Sequence, residues 1–160
     1  MAENATLSIR AAHRADAPAI YAIHRASFLT LCATYYEPLI LERMFASKTV
    51  EGYYEAIDQG EMFVCERGGR AVGFGHAVPG EVVAVFVHPD AIRQGVGTSL
   101  LQHALTCAQR EHPGPVKVIA TLNAQPFYAR HGFTETQRYT LGRGDVAFPV
   151  VEMEFSPATE

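Results

Sequence analysis

The sequence predicts a single α/β domain of the α+β kind, a mixed sheet of about seven strands flanked by about four helices. Three observations carry this. The chain has 160 residues, a length at which one core buries most of its apolar surface without staples. An apolar strand ending in Val85-Phe86-Val87 passes through a glycine turn, Gly95-Val96-Gly97, straight into an amphipathic helix containing Leu100-Leu101. Near the C-terminus Val151, Met153 and Phe155 alternate with Glu152 and Glu154, the two-residue period of a half-buried strand.

The elements follow in order. Leu7-Ser8-Ile9-Arg10 reads as a short first strand, and Asp16 stands where it would cap a helix with apolar positions Ile20, Ile23, Ser27/Phe28 and Leu31. A second helical region covers about 37–59 and breaks near Ser47-Lys48-Thr49. Strands are expected at 61–65 and 70–76, a hairpin about Arg67-Gly68-Gly69, and at 81–87 after Pro79-Gly80. The helix after the glycine turn carries Val96, Leu100, Leu101, Ala104, Leu105 and Ala108 on one face and stops before Pro113-Gly114-Pro115. A strand at 116–122, a short helix at 126–131 and a hairpin of 133–141 with 146–155 around Gly142-Arg143-Gly144 complete a chain that reads as one domain over 1–160. This order needs one right-handed crossover, through the helix after Gly95, among otherwise antiparallel pairings.

Composition narrows the function. With 48% apolar and 19% charged residues the chain is of ordinary globular type. No apolar run approaches membrane length, and Met1-Ala2-Glu3-Asn4 lacks a basic region and a signal core, so a cytoplasmic protein with no membrane partner is expected. A net charge of −4 without a basic cluster speaks against nucleic acid and mildly favours a cationic acceptor. Cys32, Cys65 and Cys107 are odd in number, widely spaced and set in apolar patterns, so they read as free thiols and no metal site is expected.

The glycine turn is where chemistry enters. Two glycines let consecutive backbone N–H groups converge, and the helix adds its unpaired amides and the positive end of its dipole, so the junction is a cradle for phosphate. The loop has no Lys-Ser/Thr pair after the second glycine and no third glycine at the dinucleotide spacing, which removes the common nucleotide motifs. What remains resembles the pyrophosphate-binding signature of the GNAT superfamily of N-acetyltransferases, Gln/Arg-x-x-Gly-x-Gly/Ala after an apolar strand. The two glycines, the Val87-His88-Pro89 exit and Leu100-Leu101 fit; Ile92 takes the Gln/Arg position, with Arg93 and Gln94 after it. Backbone amides supply most of the grip, so this departure is expected to trim affinity and keep the site. A second stretch, 118–133, leads from a strand through Asn123-Ala124 to Phe127-Tyr128 and Gly132-Phe133, and resembles the other end of the same superfamily. Together the two cover almost the whole chain.

The resemblance implies a mixed sheet whose central strands splay to admit the pantetheine arm of acetyl-CoA, the co-substrate, and direct acetyl transfer to a primary amine of a small molecule or peptide. It implies cofactor contacts from the Val85, Phe86 and Val87 backbone, from Ile92, Arg93, Gln94, Gly95, Val96, Gly97 and Thr98, and from Asn123, Phe127 and Tyr128. Tyr128 is the candidate acid for the leaving thiolate, with aromatic packing as its alternative. Glu81 is the candidate general base, with an exposed turn as its alternative and His76 as runner-up; His88 reads as a loop-opening residue. Asn123 is either a pantetheine contact or a turn former.

The acceptor pocket is implied to come from 31–36, 53–58 and 138–148. There Tyr35, Tyr36, Tyr53 and Tyr54 form either an aromatic wall, with Glu37, Glu55 or Asp58 near the cation, or ordinary packing. Small amine, antibiotic, amino acid and peptide N-terminus all stay open as acceptors, as does a homodimer. The rival reading is a non-catalytic acyl-CoA-binding or regulatory module that keeps the cradle without the chemistry; a polyanion-binding surface is disfavoured by the charge.

Overall fold

The computed structural model of the chain describes residues 6–142 and 147–157. In order it forms β1 (Leu7–Ala11), α1 (Ala17–Leu31), α2 (Pro38–Ala46), α3 (Tyr54–Asp58), β2 (Met62–Arg67), β3 (Arg70–Val78), β4 (Glu81–Val87), α4 (Val96–Gln109), β5 (Val116–Thr121), α5 (Gln125–Arg130), β6 (Phe133–Leu141) and β7 (Phe148–Phe155). The strands make one seven-stranded sheet ordered β1-β2-β3-β4-β5-β7-β6. All pairings are antiparallel except β4 with β5, which the α4 crossover makes parallel.

Several expectations need correction. Asp16 precedes α1 but its side chain caps nothing there; the helix opens on Ala17-Pro18, and the carboxylate accepts from the Arg10 guanidinium at 2.8 Å and from the His13 backbone N–H at 2.7 Å. A strong cation within reach outcompetes the weaker capping bond. The second helical region does break at Ser47-Lys48-Thr49, yet its second half is a 3-10 turn (Val50–Tyr53) running into the short α3, so the helices number five among the described residues. Its first turn is capped by Thr49, whose hydroxyl accepts from the Gly52 N–H at 3.1 Å. The closing strand starts at Phe148, and the expected Arg143-Gly144 turn and Val146 lie outside the described residues.

Packing explains the layers. On one face α4 turns Val96, Leu100, Leu101, Ala104 and Ala108 onto the sheet, all fully buried, while Leu105 is only half-buried at the margin. The helix lies close because Gly73 of β3 has no side chain: a Cβ there would stand 2.8 Å from Leu100 and 2.9 Å from Val96. On the other face α1 crosses the sheet. Ile20 and Ile23 pack with Met62, Val64 and Phe74, and Phe28 and Cys32, at the far end, cluster with Phe148 and Val150. Tyr36 fastens that end, donating to the Pro149 carbonyl at 2.6 Å and accepting from the Leu122 N–H at 2.9 Å.

The central strands part company early. Parallel pairing of β4 with β5 is confined to Glu81 with Lys117 and Val82 with Val118, although β4 runs on to Val87 and β5 to Thr121. Beside this point β4 carries a bulge: His76 faces Ala84 and Ala77 faces Val82, leaving Val83 as the extra residue. The extra residue resets the alternation, so that Val82, Val85 and Val87 face the α4 side and Ala84 and Phe86 the α1 side. Among the described residues no helix is long and apolar enough to cross a membrane.

Candidate active site

A cavity of about 540 Å³ occupies the gap between β4 and β5. Its walls are Val83 to Val87 on one side and Ile119 to Thr121 on the other, its mouth is the glycine turn, and α1 closes it with Ser27, Leu31 and Cys32. Beyond Val82 no β5 residue pairs with β4, so the edge of β4 that faces the gap presents its N–H and C=O groups to whatever enters.

The turn forms because Gly95 adopts φ +83°, a left-handed conformation that costs glycine nothing and lets α4 start abruptly. Arg93 also has positive φ, +62°, and such strain in a side-chain-bearing residue collects at ligand clamps. Gly97 lies in the first turn of α4, where an added Cβ would meet Phe127 at 3.4 Å and Val87 at 3.6 Å, both cavity residues. The N–H groups of this first turn, together with the dipole of a 14-residue helix, make the mouth attractive to an anion. Thr98 is held in place by His131: the imidazole donates from Nδ1 to the Phe127 carbonyl at 2.8 Å, leaving Nε2 to accept from the Thr98 hydroxyl at 3.2 Å.

Most of the expected cofactor residues meet here. Val85, Phe86, Val87, Ile92, Arg93, Gly95, Gly97, Thr98, Asn123, Phe127 and Tyr128 all line the cavity. Two do not. Val96 is buried in the core under α4, and Gln94 is exposed, its amide directed at the Asp90 carbonyl at 3.4 Å. Tyr128 is buried against Phe127 and Phe133, burial pushes its phenol well above the ordinary tyrosine range, and none of the described residues hydrogen-bonds its hydroxyl. Asn123 accepts from the Cys32 thiol at 3.2 Å, and burial raises that thiol to about 11.

Glu81 lies at the closed end of the gap, outside the cavity lining, with the Lys117 ammonium 4.0 Å away. His76 is hydrogen-bonded through Nε2 to the Glu61 carboxylate at 2.8 Å and also lies outside the lining. His88 accepts from the Asp90 N–H at 3.1 Å, holding the loop opening. The four tyrosines do not make a cavity wall: Tyr36 is the fastener described above, Tyr53 bonds His24 at 2.8 Å, Tyr35 is exposed, and Tyr54 sits under the Arg14 guanidinium. Of the expected pocket segment 31–36, Leu31 and Cys32 line the cavity, whereas sequence reasoning missed Ser27, Thr121, Arg130 and His131. The signal for Ser27 was a hydroxyl on an apolar stripe; Arg130 and His131 sit inside the second motif.

Comparison with known proteins settles the family. The model of the acetyltransferase (GNAT) domain matches residues 33–155. The chain belongs to the GNAT acetyltransferases. As an enzyme it is therefore an acyltransferase, an acetyl-CoA-dependent N-acetyltransferase by family. A search of curated proteins finds no match to this GNAT chain. Among solved structures it is similar to a GCN5-related N-acetyltransferase, "Aminotransferase, Class-II", from Rhodopseudomonas palustris, with 26% identity over 98% of this chain and 99% of that one and a TM-score of 0.87. The PaiA N-acetyltransferase of Thermoplasma acidophilum, solved with coenzyme A, shares the fold at 16% identity, 94% and 99% coverage and a TM-score of 0.75. So does the ribosomal-protein-alanine N-acetyltransferase of Brucella melitensis, at 21% identity, 93% and 99% coverage and a TM-score of 0.70.

Proposed function

We propose that this GNAT protein moves the acetyl group of acetyl-CoA directly to a primary amine of a small molecule or peptide. The supporting observation is the continuity of the cavity, which joins an anion-attracting helix start, an unpaired strand edge and a Tyr128 hydroxyl that no described residue bonds in one space. The pyrophosphate rests on the amides of 95–98. The pantetheine amides lie along β4 as a short false strand, with Asn123 across from it. The reactive end then reaches the level of Ala84 and Ile119.

In the reaction the amine nitrogen attacks the thioester carbon, the C–S bond breaks, and Tyr128 protonates the departing thiolate. A phenol that burial keeps fully protonated is a suitable donor. Glu81 is the one carboxylate in β4 or β5, and it takes the amine proton through water, since it stands just beyond the lining. The 26% identical neighbour, a GCN5-related N-acetyltransferase, supports the reaction class, and the coenzyme A of the PaiA structure supports the co-substrate.

The test is thiol release from acetyl-CoA across a panel of alkylamines, aminoglycosides, amino acids and peptides, with mass spectrometry of the products. Amine-dependent release with an N-acetylated product is expected. Tight CoA binding with no release for any amine would instead leave a binding module.

A further inference from the structure

Apart from the buried tyrosines and cysteines, Ser27 is the one buried residue with a polar side chain among the described residues, with 4% of its surface exposed. It stands on the inward stripe of α1, where Ala17, Ile20, Ile23 and Phe28 are all apolar, and an apolar residue there would be the cheaper choice. A serine inside a helix commonly returns its hydroxyl to the carbonyl one turn back, as Thr106 does to Gln102 at 3.0 Å. Ser27 does not, and no described residue is its partner. No buried side-chain N or O atom among the described residues is left both enclosed and unbonded, so the Ser27 hydroxyl is reached from the cavity it lines. In the free protein the hydroxyl is open to water in the cavity, and a ligand that displaces this water can take the hydrogen bond in its place.

Its place says which part of the ligand. The first half of α1 packs on β2 and β3, and Cys32, just past its end, bonds Asn123 beside β5, so Ser27 is set where the helix bridges the gap. The side chains that Val83, Ala84, Ile119 and Ala120 contribute to the same cavity carry no polar group. A thioester offers a single good hydrogen-bond acceptor there, its carbonyl oxygen, and no donor; the thiol of free CoA offers no such oxygen.

We infer that the Ser27 hydroxyl donates to the thioester carbonyl of the bound acyl-CoA. This rests on the acetyl-transfer reading and adds to it a side chain that distinguishes acyl-CoA from CoA. The same bond strengthens as the oxygen gains charge on attack.

Calorimetry of wild type and Ser27→Ala with acetyl-CoA and with CoA, together with melting of both unliganded proteins, tests it. Ser27→Ala should bind acetyl-CoA about 5-fold more weakly or worse while binding CoA within about 2-fold of wild type. Its unliganded melting temperature should be unchanged or higher, because the hydroxyl had no partner to lose. Parallel loss for both ligands, loss for neither, or a lower melting temperature without a change in binding would overturn the assignment, as would unchanged acetyl-CoA affinity with a raised KM for the amine. Wild-type protein that bound neither ligand would overturn the acetyl-transfer reading itself, a result distinct from any of these.

Discussion

The Cys32 thiol donates to Oδ1 of Asn123 at 3.2 Å, tying the end of α1 to the turn after β5 and leaving the Asn123 amide N–H groups for the cavity. Cys32→Ala removes the donor without adding volume at this buried site. Acetyl-CoA affinity should drop about 3- to 10-fold in this variant, as expected for loss of one orienting bond, and Cys32→Ser should recover it. Calorimetry checks both. Because burial holds the thiol near 11, iodoacetamide at neutral pH should label half-exposed Cys107 well before Cys32.

Gly97→Val should weaken CoA binding by at least about 10-fold while the protein stays folded. The added Cβ meets Phe127 and Val87 at ordinary contact distances, so the fold accepts it, and the branches beyond it enter the cavity. Unchanged CoA affinity in a folded variant would contradict this.

Tyr128→Phe removes a hydroxyl that no described residue holds, so its stability should match wild type. Turnover should fall about 10- to 1000-fold with acetyl-CoA affinity within a few-fold of wild type. Wild-type turnover would reduce Tyr128 to packing against Phe127 and Phe133.

Glu81→Gln keeps shape and cannot take a proton. Its rate near neutrality should fall about 100-fold and recover in part at high pH, where the amine is already free. An unaltered pH–rate profile would make His76 the next residue to replace.

His24 gives a pH dependence of stability. Its ring is enclosed by Phe28, Phe45, Phe74 and Phe86 and bonded to the Tyr53 hydroxyl, and burial lowers it to about 4. Between the ordinary imidazole value and about 4 the unfolded chain gains a proton that the folded one refuses, so stability declines as pH falls through that window. The loss should amount to about 3 kcal/mol, nearly complete below pH 4. Urea titrations at pH 7 and pH 4 measure it, and His24→Phe should flatten the difference.

Periodicity and glycine chemistry made most of the fold legible. The 3.6-residue stripe identified α4 and its buried face, and the two-residue period put Val151 and Met153 inside. Less legible were features that depend on distant partners. Arg10 diverts Asp16 from capping across a strand end, and the bulge at Val83, which decides which β4 residues face α1, leaves no mark in an unbroken apolar run. The glycine turn and Tyr128 were legible because a backbone conformation and a motif carry them. Ser27 was not, since a hydroxyl on a helix stripe reads as packing until the opposite wall is known to be missing.

The two-pair seam at Glu81/Lys117 and Val82/Val118 makes the sheet, in mechanical terms, two leaves sharing a short spine. Above the seam no ladder bond joins the leaves, so widening the gap breaks none. The spacing is set by α1, which is rooted on one leaf through Ile20 and Ile23 and buckled to the other through Cys32 and Tyr36. A strap loaded in this way makes the slot width a soft coordinate within an otherwise stiff domain, and cutting it at the Tyr36 buckle would loosen the book without loosening either page.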